Sequence, residues 1–228
     1  MNWVNVSNKL IQWVFIVMKL TGIWWLFNFP YVILGLLLMR APTVANVNTI
    51  FIVCIVLFPI IIVPATVATL AITRRYGRDD DNFSFVKVFW KYYKTEYVRS
   101  LTLGCLNIIV LILFYIALRY YSGQSSLLAM IFYILVILTP FFFLYVYSFL
   151  VDQELPVRTY LTNTIYLLLM HPINTSLMIL DVIGLAVILW FAFPPLLLFV
   201  LPGLLALIVT HFFQKGIKVE TLKSHVNS

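Results

Sequence analysis

Catalytic and metal-binding chemistry need particular side chains at particular spacings, and this sequence contains few of them. Asp152 and Glu154 are two residues apart in a polar stretch, where solvation or helix capping explains the carboxylates better than paired acid–base catalysis. The histidines lie at no metal-ligand spacing and have no cysteine pair beside them: His171, His211 and His225. The sequence also lacks a phosphate-binding G-x-x-x-x-G-K-[ST] run and a G-x-S-x-G nucleophile elbow. We therefore expect a protein without catalytic activity of its own, without a metal and without a cofactor.

The residue whose type and position most suggest a function is Asp181, inside the apolar run SLMILDVIGLAV (176–187). An acid within a membrane span costs roughly a few kcal/mol and usually faces a polar partner or a wet cavity. One interpretation is therefore a polar contact with a substrate, an ion or a neighbouring subunit. The other is a carboxylate near the cytoplasmic interface that is satisfied by Asn174, Thr175, a lysine or water. The sequence leaves both interpretations open.

A second group of candidate contacts lies in TRRYGRDDDNF (73–83), where six of the eight residues 74–81 are charged, although charged residues make up only 10% of the chain. Arg74, Arg75 and Arg78 are expected to end a membrane span on the cytoplasmic side. The aspartates at 79–81 follow where they could cap the next helix, because carboxylates stabilise a helix N-terminus. This interpretation requires no active site, and it leaves the three arginines as candidate contacts for a partner.

The next segment, residues 83–99, predicts a helix with two different faces. Lys87, Lys91 and Lys94 recur at i, i+4 and i+7 and form one narrow stripe. Aromatic residues are expected on the opposite side: Phe85, Phe89, Trp90, Tyr92, Tyr93 and Tyr97. Such a helix is typical of the membrane interface, where the lysines would meet anionic lipids. A docking surface for a cytoplasmic partner, with the lysines and Trp90 as contacts, is the alternative.

These side chains must be positioned by apolar helices, because 63% of the 228 residues are apolar and the mean hydropathy is +1.04. A soluble globular chain is about 45–50% apolar and about 25% charged, so a soluble fold would have too little polar surface to cover its core. The sequence therefore predicts an all-α, polytopic membrane helical bundle that forms a single membrane domain. Cys54 and Cys105 lie far apart in apolar runs, which is typical of small hydrophobic residues in membrane helices.

A membrane-spanning helix needs about 20 predominantly apolar residues, and six segments meet that requirement. The predicted spans are 20–39, 48–72, 101–120, 127–151, 175–193 and 196–213. Pro194-Pro195 leaves so short a connection that the last two spans should form a hairpin. Amphipathic helices are expected at the interface over 3–18 and 157–170, and a cytoplasmic tail over 214–228. Prolines within the spans should kink or break them: Pro30, Pro59, Pro64, Pro140 and Pro202.

The distribution of lysine and arginine predicts the orientation. With six spans, thirteen of the fifteen basic residues fall on one side of the membrane, and only Arg40 and Arg119 fall on the other. By the positive-inside rule, both termini are expected in the cytoplasm. Membrane topology and anionic lipid explain the net charge of +7 better than nucleic acid does, because the basic residues do not form one soluble domain.

Four short segments follow one another along the chain: WWLFNFPYVILG (24–35), PATVATLAI (64–72), FSFVKVFWKYYKTEYVRSLTLG (83–104) and LTNTIYLLLMHP (161–172). In this order they resemble the YesL-like family of small bacterial membrane proteins, a domain of unknown function. The chain departs from the family pattern in two places. Tyr31 stands where Thr is common after the first Pro, and Val63 stands where Gly commonly precedes Pro-Ala-Thr. Members of the family tend to be encoded beside carbohydrate ABC importers of Gram-positive bacteria.

The resemblance implies an accessory or assembly subunit of a carbohydrate (oligosaccharide) ABC importer in the bacterial cytoplasmic membrane. The permease subunits would be its partners, with the ATPase as a further candidate, and no catalytic residue is carried over. An independent small-molecule transporter or channel is the alternative, although the spans supply few inward polar residues: Thr66, Thr69, Asn107, Thr139 and Asp181. A membrane-bound enzyme is the least favoured class, because catalytic groups do not cluster.

Overall fold

The computed structural model describes residues 3–76 and 84–226, with the side chains of 13–76 and 84–220. Over these ranges the chain forms ten α-helices and one π-helical turn, without a β-strand. The helices are α1 (Trp3–Phe27), α2 (Phe29–Met39), α3 (Val44–Leu57), α4 (Val63–Tyr76), α5 (Phe85–Thr95), α6 (Tyr97–Tyr121), α7 (Ser126–Asp152), α8 (Val157–Met170), α9 (Pro172–Ala192) and α10 (Pro195–Val226). Five helical segments are long and apolar enough to cross a membrane, and the bent pair α1 with α2 would be a sixth if the two helices form one span. The predicted all-α membrane bundle is confirmed.

Helix α4 forms the centre of the bundle and packs against α1, α5, α6, α7 and α10. Every residue from 63 to 73 except Thr66 is buried. Small side chains such as Ala65 and Ala68 let neighbouring backbones approach closely, which is how helices associate in a membrane without a hydrophobic driving force. The hydroxyl of the buried Thr69 donates to the Ala65 carbonyl at 2.8 Å. The segment PATVATLAI is therefore the packing centre of the fold.

The first predicted span is broken at Asn28, because Pro30 has no N–H with which to continue the helix. The chain bends by 72° at this break. The buried Asn28 side chain donates a hydrogen bond to the Trp24 carbonyl at 2.7 Å, and the same oxygen accepts the Asn28 backbone N–H at 3.0 Å. The expected boundary between an interfacial helix 3–18 and a span 20–39 is wrong, since α1 is continuous through that point and the break lies at residue 28.

The bent pair nevertheless follows the next span along its length, in the opposite direction. Three side-chain contacts mark the path: Trp13 with Tyr76, Trp24 with Thr66, and Tyr31 with Cys54. Because these contacts advance steadily along both segments, α1 lies beside α4 and α2 lies beside α3. This path favours one broken span over a loop that returns to the same side, and one broken span would bring the count to the six that the sequence predicts.

The second span, Val44–Tyr76, contains a π-helical turn at Phe58–Ile62. Pro59 lies in that turn and Pro64 follows it, and neither has an N–H for the regular hydrogen bond, so the helix widens there. Gly104 of α6 packs directly against the turn, since a Cβ at Gly104 would lie 2.9 Å from the Cα of Pro59. The widened turn and the glycine together allow α6 to approach this span closely.

Helices α9 and α10 form the predicted hairpin, with residues 193 and 194 between them. Within α10, Pro202 cannot donate to the Leu198 carbonyl, and Trp25 Nε1 donates to that oxygen instead, at 2.5 Å. One residue later, the Gly203 amide donates to Thr21 Oγ1 at 3.1 Å. Side chains of α1 therefore repair the backbone hydrogen bonding that the proline disturbs.

Two helices continue past points at which the sequence suggests an interruption or an end. Pro140 and Pro202 do not break their helices, because α7 and α10 continue through them. Prolines are tolerated inside membrane helices where neighbouring helices satisfy the freed carbonyls. The last helix continues beyond the predicted span as far as Val226, so residues 214–226 of the expected cytoplasmic tail are helical.

Helix α8 occupies the segment 157–170 that was predicted to lie at the interface. Tyr160 is fully buried and ties the α7–α8 connection to the bundle. Its hydroxyl accepts from the Leu155 amide and donates to the Gln153 carbonyl, each at 2.9 Å. The position of α8 is therefore set by a buried tyrosine as well as by apolar packing.

Candidate functional site

A groove of about 580 Å³ opens between α1, α4, α9 and α10. Seven side chains of α10 line its floor. Five of them form a stripe at positions i, i+3, i+4, i+7 and i+10, namely Leu204, Leu207, Ile208, His211 and Gln214, and the other two are Thr210 and Phe212. Trp13 and Tyr76 line it on the α1 and α4 side, and Asp181 lines it on the α9 side. The groove combines a carboxylate, an imidazole, an amide and hydroxyl groups with apolar side chains. We call it the Asp181 groove.

Asp181 lies nine residues into α9, about 14 Å from the start of the helix. Its side chain is exposed at the groove and makes no hydrogen bond or ion pair with any of the residues described here. Neither polar neighbour that was expected to satisfy it does so. The Asn174 amide donates to the Phe212 carbonyl at 2.8 Å, and the Thr175 hydroxyl donates to the His171 carbonyl at 3.2 Å.

The pairing of α9 with α10 sets the depth of Asp181. Since α10 begins three residues after α9 ends and Asn174 contacts Phe212, Asp181 is level with about residue 206 of α10, roughly a turn from Thr210. The Thr210 and Thr73 hydroxyls are hydrogen-bonded at 2.6 Å and also line the groove. Because Arg74 follows Thr73 at the end of α4, the carboxylate lies about one to two turns below the first charged residues of the bundle.

His211 is the groove residue for which the sequence analysis found no role. It was expected only near the end of the last span, and the structure brings it into the same groove as Asp181. A usable signal was present in the sequence: the tight turn at Pro194-Pro195 fixes the register of the hairpin. Counting outwards from that turn places Asp181 about one turn from the stripe position of His211.

The arginines of the charged cluster have different environments. Arg74 forms an ion pair with Asp152, the last residue of α7, and its Nη1 donates to the Val151 carbonyl at 2.6 Å. Arg74 therefore joins α4 to α7 by a polar contact within the chain. Arg75 is exposed in the last turn of α4 and is still a candidate contact. Arg78 and the aspartates at 79–81 lie outside the described residues.

Helix α5 turns its lysine stripe away from the bundle, as predicted. Lys87, Lys91 and Lys94 are exposed, whereas Val88 and Phe89 are buried in a cluster with side chains of α1 and α4. The aromatic face of α5 was expected to lie in the membrane interface, but its centre packs on protein. The helix is therefore docked on the bundle, and its lysines are presented outwards.

Trp90 lies on the lysine side of α5 and not opposite it, which corrects the expected face. Its side chain is 45% exposed, and Lys94 Nζ lies 4.5 Å from its ring centroid in a cation–π contact. Trp90 also stacks on Tyr93, with 7° between the ring planes. The pKa of Tyr93 is raised, mainly because the hydroxyl is desolvated by burial and to a lesser extent because Tyr97 lies nearby. The exposed surface of α5 is therefore both cationic and aromatic.

A second ionisable pair closes the α8–α9 corner. His171, between these helices, has its Nε2 2.7 Å from Glu220 Oε1 of α10. The corner is thereby fixed to the last helix. Elsewhere in the part of the chain that the structure describes, no group of three His, Cys, Asp or Glu side chains could hold a metal ion.

The first half of the chain has a match among known families. This half contains the broken first span, the alanine-rich α4 and the lysine-bearing α5. Residues 12–118 match the family described as "Protein of unknown function, DUF624". The match covers just under half of the chain. It includes the π-helical turn and Gly104, whereas Asp181 and His211 lie outside the DUF624 match.

Two curated proteins of Bacillus subtilis (strain 168) are similar to the chain, and both are described as uncharacterized. YteU is 30% identical over 109 residues, which is 46% of this chain and 49% of that protein. YesV is 23% identical over 172 residues, 71% of this chain and 79% of that protein. The chain thus matches about half the length of YteU. No solved structure matches the chain.

Proposed function

We propose that the chain is a non-catalytic accessory or assembly subunit of a carbohydrate ABC importer in the bacterial cytoplasmic membrane. The observation that carries the proposal is Asp181, an acid near the middle of an apolar helix without a partner among the described residues. Acids in the hydrocarbon region are paired or line wet cavities. A second membrane protein that covers the Asp181 groove would provide that pairing. The resemblance to the YesL-like family supports the permease of such an importer as this protein.

Helix α5 supports a second contact, on the proposed cytoplasmic side. Its stripe of Lys87, Lys91 and Lys94 with Trp90 faces outwards from the bundle, and this surface fits the phosphates of anionic lipids or an acidic surface of the ATPase. The proposed subunit would therefore hold its partner within the membrane through α9 and α10, and would meet lipid or ATPase through α5.

An independent transporter or channel is the second candidate, and the polar lining of the Asp181 groove favours it. The inward polar residues expected to line a path are otherwise engaged. The hydroxyls of Thr66, Thr69 and Thr139 donate to carbonyls of their own helices, and Asn107 Nδ2 donates to the Tyr147 hydroxyl at 2.9 Å. Hydrogen bonds within the bundle account for these polar side chains, so no substrate path is needed to explain them. We therefore prefer the accessory subunit.

Copurification separates the two candidates. The chain, tagged and extracted from a Gram-positive host in a mild detergent, should retain permease subunits of a carbohydrate importer, and its deletion should lower uptake of the corresponding oligosaccharide. A tagged, unrelated six-span protein at equal expression is the control. If the chain instead copurifies alone and, in vesicles, mediates flux of a small solute by itself, the transporter is correct and the accessory subunit is not.

A further inference from the structure

We infer that the Asp181 groove is the seat of a transmembrane helix of a partner protein, and that this helix bears a lysine or arginine whose cationic group contacts Asp181. The identity of the partner rests on the proposed function, whereas the chemistry of the contact does not. Three features of the groove support it: its length along α10, its chemistry at two opposite sides, and the depth of the acid.

The floor of the groove has the form of a helix-packing surface. Five of the seven α10 side chains that line the groove follow the i, i+3, i+4, i+7 and i+10 positions: Leu204, Leu207, Ile208, His211 and Gln214. Such a stripe is the seam by which one helix packs on another. From 204 to 214 the stripe is about 15 Å long, nearly three turns. A groove of that length parallel to a helix axis fits the face of a second helix better than a compact solute.

The two sides of the groove are suited to a cation. Asp181 supplies a carboxylate on the α9 side. On the other side Trp13 and Tyr76 present aromatic rings, which contact each other edge to face at 6.5 Å between centroids. Carboxylates and aromatic faces both attract ammonium and guanidinium groups, and a guanidinium can also donate two parallel hydrogen bonds to a carboxylate. A basic side chain is therefore the complementary group.

The depth of Asp181 decides which source of cation fits. The carboxylate lies about one to two turns below Arg74 and Asp152, so the amine of a lipid headgroup at the surface would have to descend into the apolar layer. A basic residue on a transmembrane helix reaches that depth by its position in the helix, and basic residues within spans are found paired with acids. The apolar residues of the stripe would pack against the rest of the same helix.

Site-specific photocrosslinking tests the occupant. A photoreactive residue at Leu204, on the groove floor, should crosslink to a protein band, and the same residue at Leu113, which is exposed on α6, is the matched control. Crosslinks from Leu204 to a protein, at a yield at least about fivefold above Leu113, are expected. Crosslinks from Leu204 only to lipid, only to a second copy of the chain, or no more often than from Leu113, would overturn the inference.

Charge variants test the contact. Asp181→Glu should retain the partner, Asp181→Asn should weaken its retention at least about tenfold, and Asp181→Lys should abolish it, because a buried charge would lose its counter-ion. Ile183→Ala, exposed on another face of α9, is the control and should have no effect. The melting temperature of purified Asp181→Asn in detergent should equal or exceed that of the parent, which excludes misfolding as the cause. Retention of the partner by Asp181→Lys would overturn the inference.

The outcomes also separate this inference from the proposed function. Capture of an importer permease that is independent of Asp181 would support the accessory subunit and overturn the contact. Capture, dependent on Asp181, of a membrane protein unrelated to ABC importers would support the contact and overturn the proposed function.

Discussion

Close approaches of two helices depend on single glycines in this protein. At Gly203 a Cβ would lie 2.6 Å from the Val17 carbonyl oxygen and 2.7 Å from Thr21 Oγ1, both on α1. Real Cβ atoms do not approach backbone oxygens so closely, and α1 could not accommodate one without moving away from α10. At Gly184 of α9, by contrast, nothing lies within 4 Å of the same position. These two glycines therefore make a matched pair.

Gly203→Ala should destabilise the bundle by about 1–3 kcal/mol, because the added methyl group overpacks the α1–α10 contact. Gly184→Ala should be neutral or slightly stabilising, since both changes gain the same helix propensity and only the first meets a neighbour. Thermal unfolding of both variants in one detergent measures the difference. Equal melting temperatures for the two would contradict the close packing of α1 on α10.

The buried pair of Asn107 and Tyr147 allows the contribution of one interhelical hydrogen bond to be tested. Asn107 Nδ2 donates to the Tyr147 hydroxyl at 2.9 Å, while its Oδ1 accepts from no described residue. A double-mutant cycle with Asn107→Leu and Tyr147→Phe should give a coupling of about 0.6 kcal/mol, the average for interhelical hydrogen bonds in membranes, and no more than about 1.7 kcal/mol. Strict additivity of the two changes in unfolding free energy would show that the hydrogen bond does not stabilise the α6–α7 contact.

For the helices, the sequence predicts where a helix forms better than it predicts where a helix is interrupted. Runs of about 20 apolar residues have few alternatives to a helix in a bilayer, because every backbone group must be satisfied internally. Helices accordingly occupy all the predicted spans, although the first is broken at Asn28. Whether a proline breaks its helix depends on residues far away in sequence. Pro202 is accommodated because Trp25 donates to the Leu198 carbonyl. The sequence around Pro202 gives no indication that a tryptophan of α1 lies there.

Helix α5 illustrates the same limit. The i, i+4, i+7 spacing of Lys87, Lys91 and Lys94 predicts their shared exposed face correctly. The pattern does not reveal what the opposite face contacts, because aromatic residues suit lipid headgroups and protein equally well. The contact of Phe89 with Phe27 at the end of α1, with 4.5 Å between the two ring centroids, shows that this face of α5 packs on protein.

Replacing the lysines of α5 tests whether its exposed face binds anionic lipid. We expect Lys91→Gln to lower retention of phosphatidylglycerol by the purified protein by about 1 kcal/mol, and Lys87→Gln, Lys91→Gln and Lys94→Gln combined to lower it further, because each lysine near an anionic surface contributes about that much. The exposed Lys215→Gln in α10 is the control. Retention of phosphatidylcholine should not change, and the effect should diminish with added salt. Equal effects of Lys91→Gln and Lys215→Gln would argue against a site on α5.

For the whole molecule, composition and hydropathy predict a membrane bundle and the number of spans, because both follow from the bilayer itself. The Asp181 groove could not be derived in that way. It requires the lateral positions of α1, α4 and α9 around α10, and those depend on packing details such as the Gly203 contact with α1. Sequence reasoning identified Asp181 by its cost in a membrane, but it could not assign Trp13 or His211 to the same groove.

The orientation of the bundle in the membrane follows from the distribution of its charged residues. Residues 122–125 connect α6 to α7 at the end where Arg119 lies, while α4 and α7 end together at the Arg74–Asp152 ion pair. The excess of basic residues at the ion-pair end predicts that this end is cytoplasmic. In a chain without Cys54 and Cys105, an impermeant maleimide added to intact cells should therefore label Ser122→Cys.

The same reagent should label Lys215→Cys and Val14→Cys only after lysis. Labelling of Lys215→Cys in intact cells would reverse the whole orientation. Labelling of Val14→Cys alone would instead mean that α1 and α2 do not cross as one broken span, against the three contacts by which they follow α4 and α3. The groove would then open towards the cytoplasmic leaflet without α1 as one of its sides, and a partner helix could not be bound between Trp13 and Asp181.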